Sequence, residues 1–146
     1  MTDALRISRE IQCAPAHAFE VWTTRLSTWW PKGHSASGEP DTVAMLEPRL
    51  GGRIYERTAD GREIEWGEIT EWDPPHRLGY RWHIAWDVAL ATDVELTFVD
   101  LGDGTTRLDI VHSGWDRLGA DAVAFRNANT NGWDSLVPNF VAAAEA

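Results

Sequence analysis

The chain of 146 residues has a single cysteine, Cys13. One thiol makes no internal disulfide, so stability must come from a packed core. Cys13 ends an apolar strand pattern, where a thiol is expected to be buried and inert. No stretch approaches ~18 apolar residues, and Met1-Thr2-Asp3-Ala4-Leu5-Arg6 carries no signal-like apolar core. The expectation is a cytoplasmic protein with no membrane partner. Positive charge is scarce: 13 Lys and Arg against 23 Asp and Glu leave a net charge of -10. The basic residues are nearly all arginine and lie scattered. Such a surface repels phosphate backbones and anionic lipids, so nucleic acid is not an expected partner either.

The usual signatures of catalysis are missing too. The sequence contains no G-x-S-x-G, no phosphate-binding P-loop, no G-x-G-x-x-G, no H-E-x-x-H and no C-x-x-C. Its histidines (His17, His34, His76, His83 and His112) show no close ligand spacing, so neither a metal nor another cofactor is expected. No residue earns a catalytic assignment from sequence.

Tryptophan, by contrast, is abundant, with nine residues. Each is large and brings an N–H that needs a partner when buried, so their number suggests a wide interior surface, a pocket wall, or both. The length suits one domain, residues 1–146. Leu5, Ile7 and Ile11 mark a first strand. Pro15 then opens a helical period through Phe19, Trp22, Leu26 and Trp29, read as one helix or two short ones broken near Ser27, and stopped by Pro31. Residues 31–41 are rich in turn formers and read as a loop of the kind that forms lids or entrances. From Thr42 the chain alternates as an antiparallel meander, with turns at Gly51-Gly52, Ala59-Asp60-Gly61, Pro74-Pro75 and Gly102-Asp103-Gly104. Gly114 ends the sheet region. Trp133, Leu136, Val137, Phe140 and Val141 fall on one helical face, within a helix from about Ala120 to Ala144 or two helices divided near Asn129-Thr130-Asn131. Pro138 frees the carbonyl of Asp134 and is expected to kink the helix. One twisted sheet crossed by a single long helix is an α+β architecture with natural ligand space between the two.

Strand parity turns His112 inward with Leu108 and Ile110, as a satisfied core residue or as a ligand or proton-transfer group. Parity also puts Glu68 on the face of Ile64, Trp66, Thr70 and Trp72. A carboxylate in an apolar cup there has a raised pKa and can act as a base, unless a bulge at Gly67 turns it to water. Trp30, Trp66, Tyr80, Trp82, Phe98, Trp115 and Trp133 complete the candidate lining of an apolar pocket, with plain core packing as the competing reading for each. Asp60, Glu63, Glu65, Glu71 and Asp73 read as a solvated sheet face.

Several motifs together carry a resemblance. They are Ala14-Pro15 with Phe19-x-x-Trp22 and Trp29-Trp30; Gly51-Gly52-Arg53; Gly67-Glu68-Ile69 leading to Asp73-Pro74-Pro75-x-Arg77-Leu78; and Gly104-Thr105-Thr106-Arg107-Leu108 with His112-Ser113-Gly114-Trp115 and Gly132-Trp133. In this order they resemble the bacterial homologues of the activator of heat-shock protein ninety ATPase, within the START-like (SRPBCC) superfamily. The resemblance implies a helix-grip fold of six or seven strands with an internal cavity, and a small hydrophobic or aromatic molecule as the partner. Relatives in that superfamily include polyketide cyclases and proteins protecting against a self-made toxin. Three readings follow: a binding protein for such a molecule; a cyclase, aromatase or hydrolase using His112 and Glu68; and a co-chaperone-like or stress-response interaction module. Pairing of two copies through a sheet edge, as a homodimer, stays open.

Overall fold

The computed structural model describes residues 2–84 and 86–146. Seven strands form one antiparallel sheet: β1 (Leu5–Ile11), β2 (Val43–Leu46), β3 (Arg53–Arg57), β4 (Glu63–Asp73), β5 (Arg77–Trp82), β6 (Thr92–Gly102) and β7 (Thr105–Ser113). Their spatial order is β1-β7-β6-β5-β4-β3-β2. Strands β2 to β7 are therefore the expected meander, and β1 returns to the far edge, pairing Ile7 with Ile110 and Leu5 with His112. The sheet curls into a half-barrel around the C-terminal helix, which is the helix-grip arrangement.

Helix α1 (Pro15–Trp22) starts with proline in its first turn, where the missing N–H costs nothing. The break before α2 (Leu26–Trp29) comes at Thr23-Thr24-Arg25, earlier than the sequence pattern suggested. Thr23 Oγ1 donates to Phe19 O at 2.7 Å and Thr24 Oγ1 to Glu20 O at 3.2 Å, so two hydroxyls compete for the last carbonyls of α1. After β7, Gly114 takes a left-handed conformation (φ 89°), and a short 3-10 stretch (Trp115–Asp121) leads into α3 (Ala122–Glu145). Helix α3 runs unbroken past Asn129 and through Pro138, so a single helix holds. It buries Trp133, Leu136, Val137, Phe140 and Ala144, with Val141 half-buried. Phe140 meets Trp22 edge-on at 4.8 Å and Trp29 at 5.3 Å, fastening α3 to the α1–α2 pair.

Strand β4 contains the feature that parity alone missed. Opposite β3 the register slips between Ile54 and Tyr55: Ile54 faces Gly67 while Tyr55 faces Glu65. The extra residue in β4 is a bulge, and it sends Trp66 and Ile69 to the interior and Glu68 to solvent. Glycine is required there because a Cβ on Gly67 would lie 2.1 Å from the carbonyl oxygen of Arg81. Gly67→Ala should therefore destabilise by more than about 1 kcal/mol. The melting temperature should fall by roughly 2–4 °C per kcal/mol for a chain of this size. An unchanged melting temperature would show that the two strands are not held this tightly.

Candidate ligand-binding site

The concave face of the sheet and the inner face of α3 are filled by aromatic rings. Trp30 packs on Trp66 at 5.1 Å and Trp82 at 5.9 Å, and Tyr80 meets Trp82 at 5.5 Å. A second group joins His112 to Trp115 (4.2 Å) and Trp133 (5.9 Å). Where the two groups meet, beside Trp82, Trp133 and Leu136, the interior keeps a space of about 10 Å³. That is at most one water molecule. Beside Trp82 and Trp133, indole rings occupy the space between sheet and helix in this conformation.

His112 is wholly buried, and all its polar atoms are occupied. The Trp133 indole N–H donates to Nδ1 at 3.1 Å, so Nδ1 is the acceptor and the ring proton sits on Nε2. Nε2 lies 2.7 Å from Thr92 Oγ1, whose hydroxyl reaches Trp82 O at 3.3 Å. The His112 carbonyl accepts from Trp115 Nε1 at 2.9 Å. Burial pushes the imidazole down to about 3. Neutral, fully bonded and without a free lone pair, His112 is built as a structural group joining β7, β6 and α3.

The loop between α2 and β2 borders two of the open spaces on the surface. Glu56, on the inward face of β3, is fully buried and makes no ion pair among the described residues. Instead it collects hydrogen bonds: Trp66 Nε1 at 2.8 Å, Ala36 N at 2.6 Å, Ser37 Oγ at 2.6 Å and Ser37 N at 3.3 Å. Burial alone would raise its carboxyl, but the Ser37, Trp66 and backbone donors prevail and hold it below the ordinary carboxylate range. The loop is thereby strapped across the mouth of the half-barrel. Trp30 Nε1 donates to His34 O at 2.6 Å, and the His34 ring lies against α3 at Gly132. A Cβ on Gly132 would sit 3.2 Å from His34 Cε1, so this glycine, which looks like a weak point in the helix, makes room for the ring.

Outside the strap is a cleft of about 250 Å³ lined by Gly33, His34, Ser35, Ile84, Trp86, Phe125, Ala128, Asn129 and Gly132. Trp86 and Phe125 form its aromatic wall, 5.4 Å apart and edge-on. His34, Asn129 and Gly132 border both this cleft and the small interior space, so the side chains of His34 and Asn129 stand between them.

The structure thus brings Trp30, Trp66, Tyr80, Trp82, His112, Trp115 and Trp133 into one continuous interior. Phe98 belongs to the same buried core and packs against Phe19 at 5.4 Å. Glu68 faces solvent opposite Arg53 and Arg81, so the inward placement expected for it is corrected, and it shares no pocket with His112. Glu56, His34, Trp86 and Phe125 were not singled out as site residues from sequence, and Gly132 entered only through the Gly132-Trp133 motif. For Glu56 a signal existed: Ile54, Glu56 and Thr58 share one strand face. Among the described residues no cluster of three or more His, Cys, Asp or Glu could hold a metal ion, and no helix is long and apolar enough to cross a membrane.

A profile for the family described as activator of Hsp90 ATPase homolog 1-like protein matches residues 12–145. The chain belongs to this family. No curated protein sequence matches it. Among solved structures it is similar to Txn09, an anthrahydroquino-gamma-pyrone synthase, with 36% identity, 84% of each chain covered and a TM-score of 0.60. It is also similar to CalC, a self-sacrificing resistance protein from Micromonospora echinospora, with 25% identity, 97% of this chain and 94% of that one covered, and a TM-score of 0.71. An HSP90 activator from Plasmodium falciparum shares the fold, with 18% identity, 94% and 93% coverage and a TM-score of 0.68.

Two predictions concern this family member's strap and core. Glu56→Gln replaces an acceptor oxygen by an NH2 group facing donors, and a hydrogen bond to a charged group is worth about 1.5–3 kcal/mol. The chain has one lysine, Lys32, within the strap. A lysine-specific protease should therefore cut Glu56→Gln after Lys32 at least about tenfold faster than the parent, because cleavage tracks the open population. Equal rates would show that Glu56 does not hold the strap. For His112, protonation favours the unfolded chain, since the folded value of about 3 lies below the ordinary 6.5. Its contribution is complete above pH ~6.5 and is lost at up to ~1.4 kcal/mol per unit as the pH falls toward 3. The stability gap between the parent and His112→Asn, read by urea unfolding, should narrow from pH 7 to pH 4. A gap independent of pH would contradict a neutral buried imidazole.

Proposed function

We propose that this chain binds a small hydrophobic or aromatic molecule at the mouth of the half-barrel, between the sheet and α3, and admits it inward when His34 swings off Gly132. The observation that carries this reading is the shared wall: the apolar cleft and the Trp82–Trp133 interior are divided by two half-buried side chains, Asn129 and the His34 ring seated on Gly132. The rings of Trp86 and Phe125 offer an apolar wall to a flat ligand. The reading is supported by the kinship with Txn09 and CalC, a pyrone synthase and a resistance protein.

A second reading, an enzyme acting on such a molecule, is favoured by the 36% identity to a synthase. It cannot use His112 with Glu68 as acid and base, because a pair serving one substrate needs hydrogen-bond reach to it or one bridging water. Catalysis would have to draw on groups at the cleft, with His34 nearest the ligand. Burial lowers the His34 pKa by disfavouring the charged imidazolium.

The test is a thermal-shift screen against polyketides, flavonoids, fatty acids and sterols. A ligand at 100 times its Kd stabilises by ~2.7 kcal/mol, a shift of several degrees. His34→Ala should enlarge the response. Ala128→Leu, a good helix former that fills the cleft and leaves Gly132 to the His34 ring, should abolish it without loss of fold. No shift with either the parent or His34→Ala would overturn the binding reading.

A further inference from the structure

On the other side of the strap lies a separate crevice of about 320 Å³, between α2, the two ends of the loop and β2. It shares no lining residue with the His34 cleft. Its volume lies in the range of small-molecule sites. Ser27, Trp30, Lys32, Asp41, Thr42 and Trp66 contribute its working surfaces. We propose that this crevice binds a small aromatic zwitterion, of which an aromatic amino acid is the simplest example, with its carboxylate on Lys32, its ammonium on Asp41 and its ring against Trp30.

The argument rests on which charges face the crevice and which remain unused. Lys32 is the only lysine in a chain of net charge -10. Twelve ion pairs occupy arginine, one histidine and acidic side chains elsewhere, yet neither Lys32 nor Asp41 takes part in any of them among the described residues. The two line one crevice from opposite ends of the strap without neutralising each other. Asp41 is held there in a left-handed conformation (φ 62°), which a non-glycine residue adopts at a cost and which aspartate tolerates better than most. The half-buried face of Trp30 supplies the aromatic surface, and the hydroxyls of Ser27 and Thr42 supply further polar contacts. A ligand of one charge meets one attractive and one repulsive group. A neutral ring leaves both charges unanswered. Only a molecule carrying both signs next to a ring matches all three surfaces.

The test titrates the whole chain by calorimetry with L-tryptophan, tryptamine, indole-3-propionate and indole. Tryptophan should bind tightest. Lys32→Gln should weaken tryptophan and indole-3-propionate by about fivefold or more and tighten tryptamine, whose ammonium loses a like charge. Asp41→Asn keeps a side chain that tolerates the left-handed backbone. It should weaken tryptophan and tryptamine and tighten indole-3-propionate. If Asp41→Asn does not fold, the ligand series on the parent still decides. Indole binding as tightly as tryptophan would overturn the inference. So would loss of tryptophan binding in Ala128→Leu but not in Lys32→Gln, which would move the ligand to the other cleft. Failure of the hydrophobic screen leaves this inference untouched, since the two sites share no lining residue.

Discussion

A buried indole brings an N–H that must find an acceptor, and this chain solves that problem repeatedly. Trp29, Trp30, Trp86 and Trp115 donate to the carbonyls of Val21, His34, Leu90 and His112. The two deepest solutions recruit side chains. Trp133 uses the imidazole of His112, and Trp66 uses the carboxylate of Glu56. No buried side-chain nitrogen or oxygen among the described residues lacks a partner. An unpaired polar group inside would cost ~1–3 kcal/mol, so these pairings decide which conformations the interior can adopt.

The two recruited side chains have different consequences. His112 lies wholly within β7, β6 and α3, where its tautomer and neutral state follow from its neighbours. It fixes the core and leaves nothing for chemistry. Glu56 sits near the sheet edge and completes its shell with the strap. A carboxylate buried without a cation needs several donors, and three of its four come from Ala36 and Ser37. Opening the strap therefore means rehydrating Glu56. That cost ties access to the aromatic interior to one polar cluster. Closure is completed by His34 on Gly132, and the cleft and the crevice both have the strap as a wall.

Much of the architecture was legible in the residues. The 3–4 spacing from Trp133 to Val141 gave α3, and the turn clusters at Ala59-Asp60-Gly61 and Gly102-Asp103-Gly104 gave the hairpins. Strand parity placed His112, Trp82 and Tyr80 inward. Parity failed for Glu68 because it assumes an unbroken period of two, and the bulge at Gly67 inserts one residue. The glycine was visible; the close approach of Arg81 that requires it was not. Glu56 escaped notice because a glutamate in a strand reads as solvent-facing. Its burial is set by Trp66 ten residues away and by a loop twenty residues back, contacts that no local period encodes. His34 likewise acquires its position from α3, nearly a hundred residues later. That the Trp side chains fill the interior instead of lining an open cavity depends on packing volumes, which composition leaves undetermined.

The strapped, indole-filled interior is tested most directly by hydrogen-exchange rates of the indole N–H protons, resolved by NMR. The account predicts that the Trp115 and Trp133 protons exchange only through global unfolding. The Trp66 proton should exchange through a smaller opening, with the same free energy as the amides of Ala36 and Ser37. A Trp66 proton as protected as that of Trp133, or one exchanging independently of the Ala36 and Ser37 amides, would contradict the claim that Glu56 closes the interior through the strap.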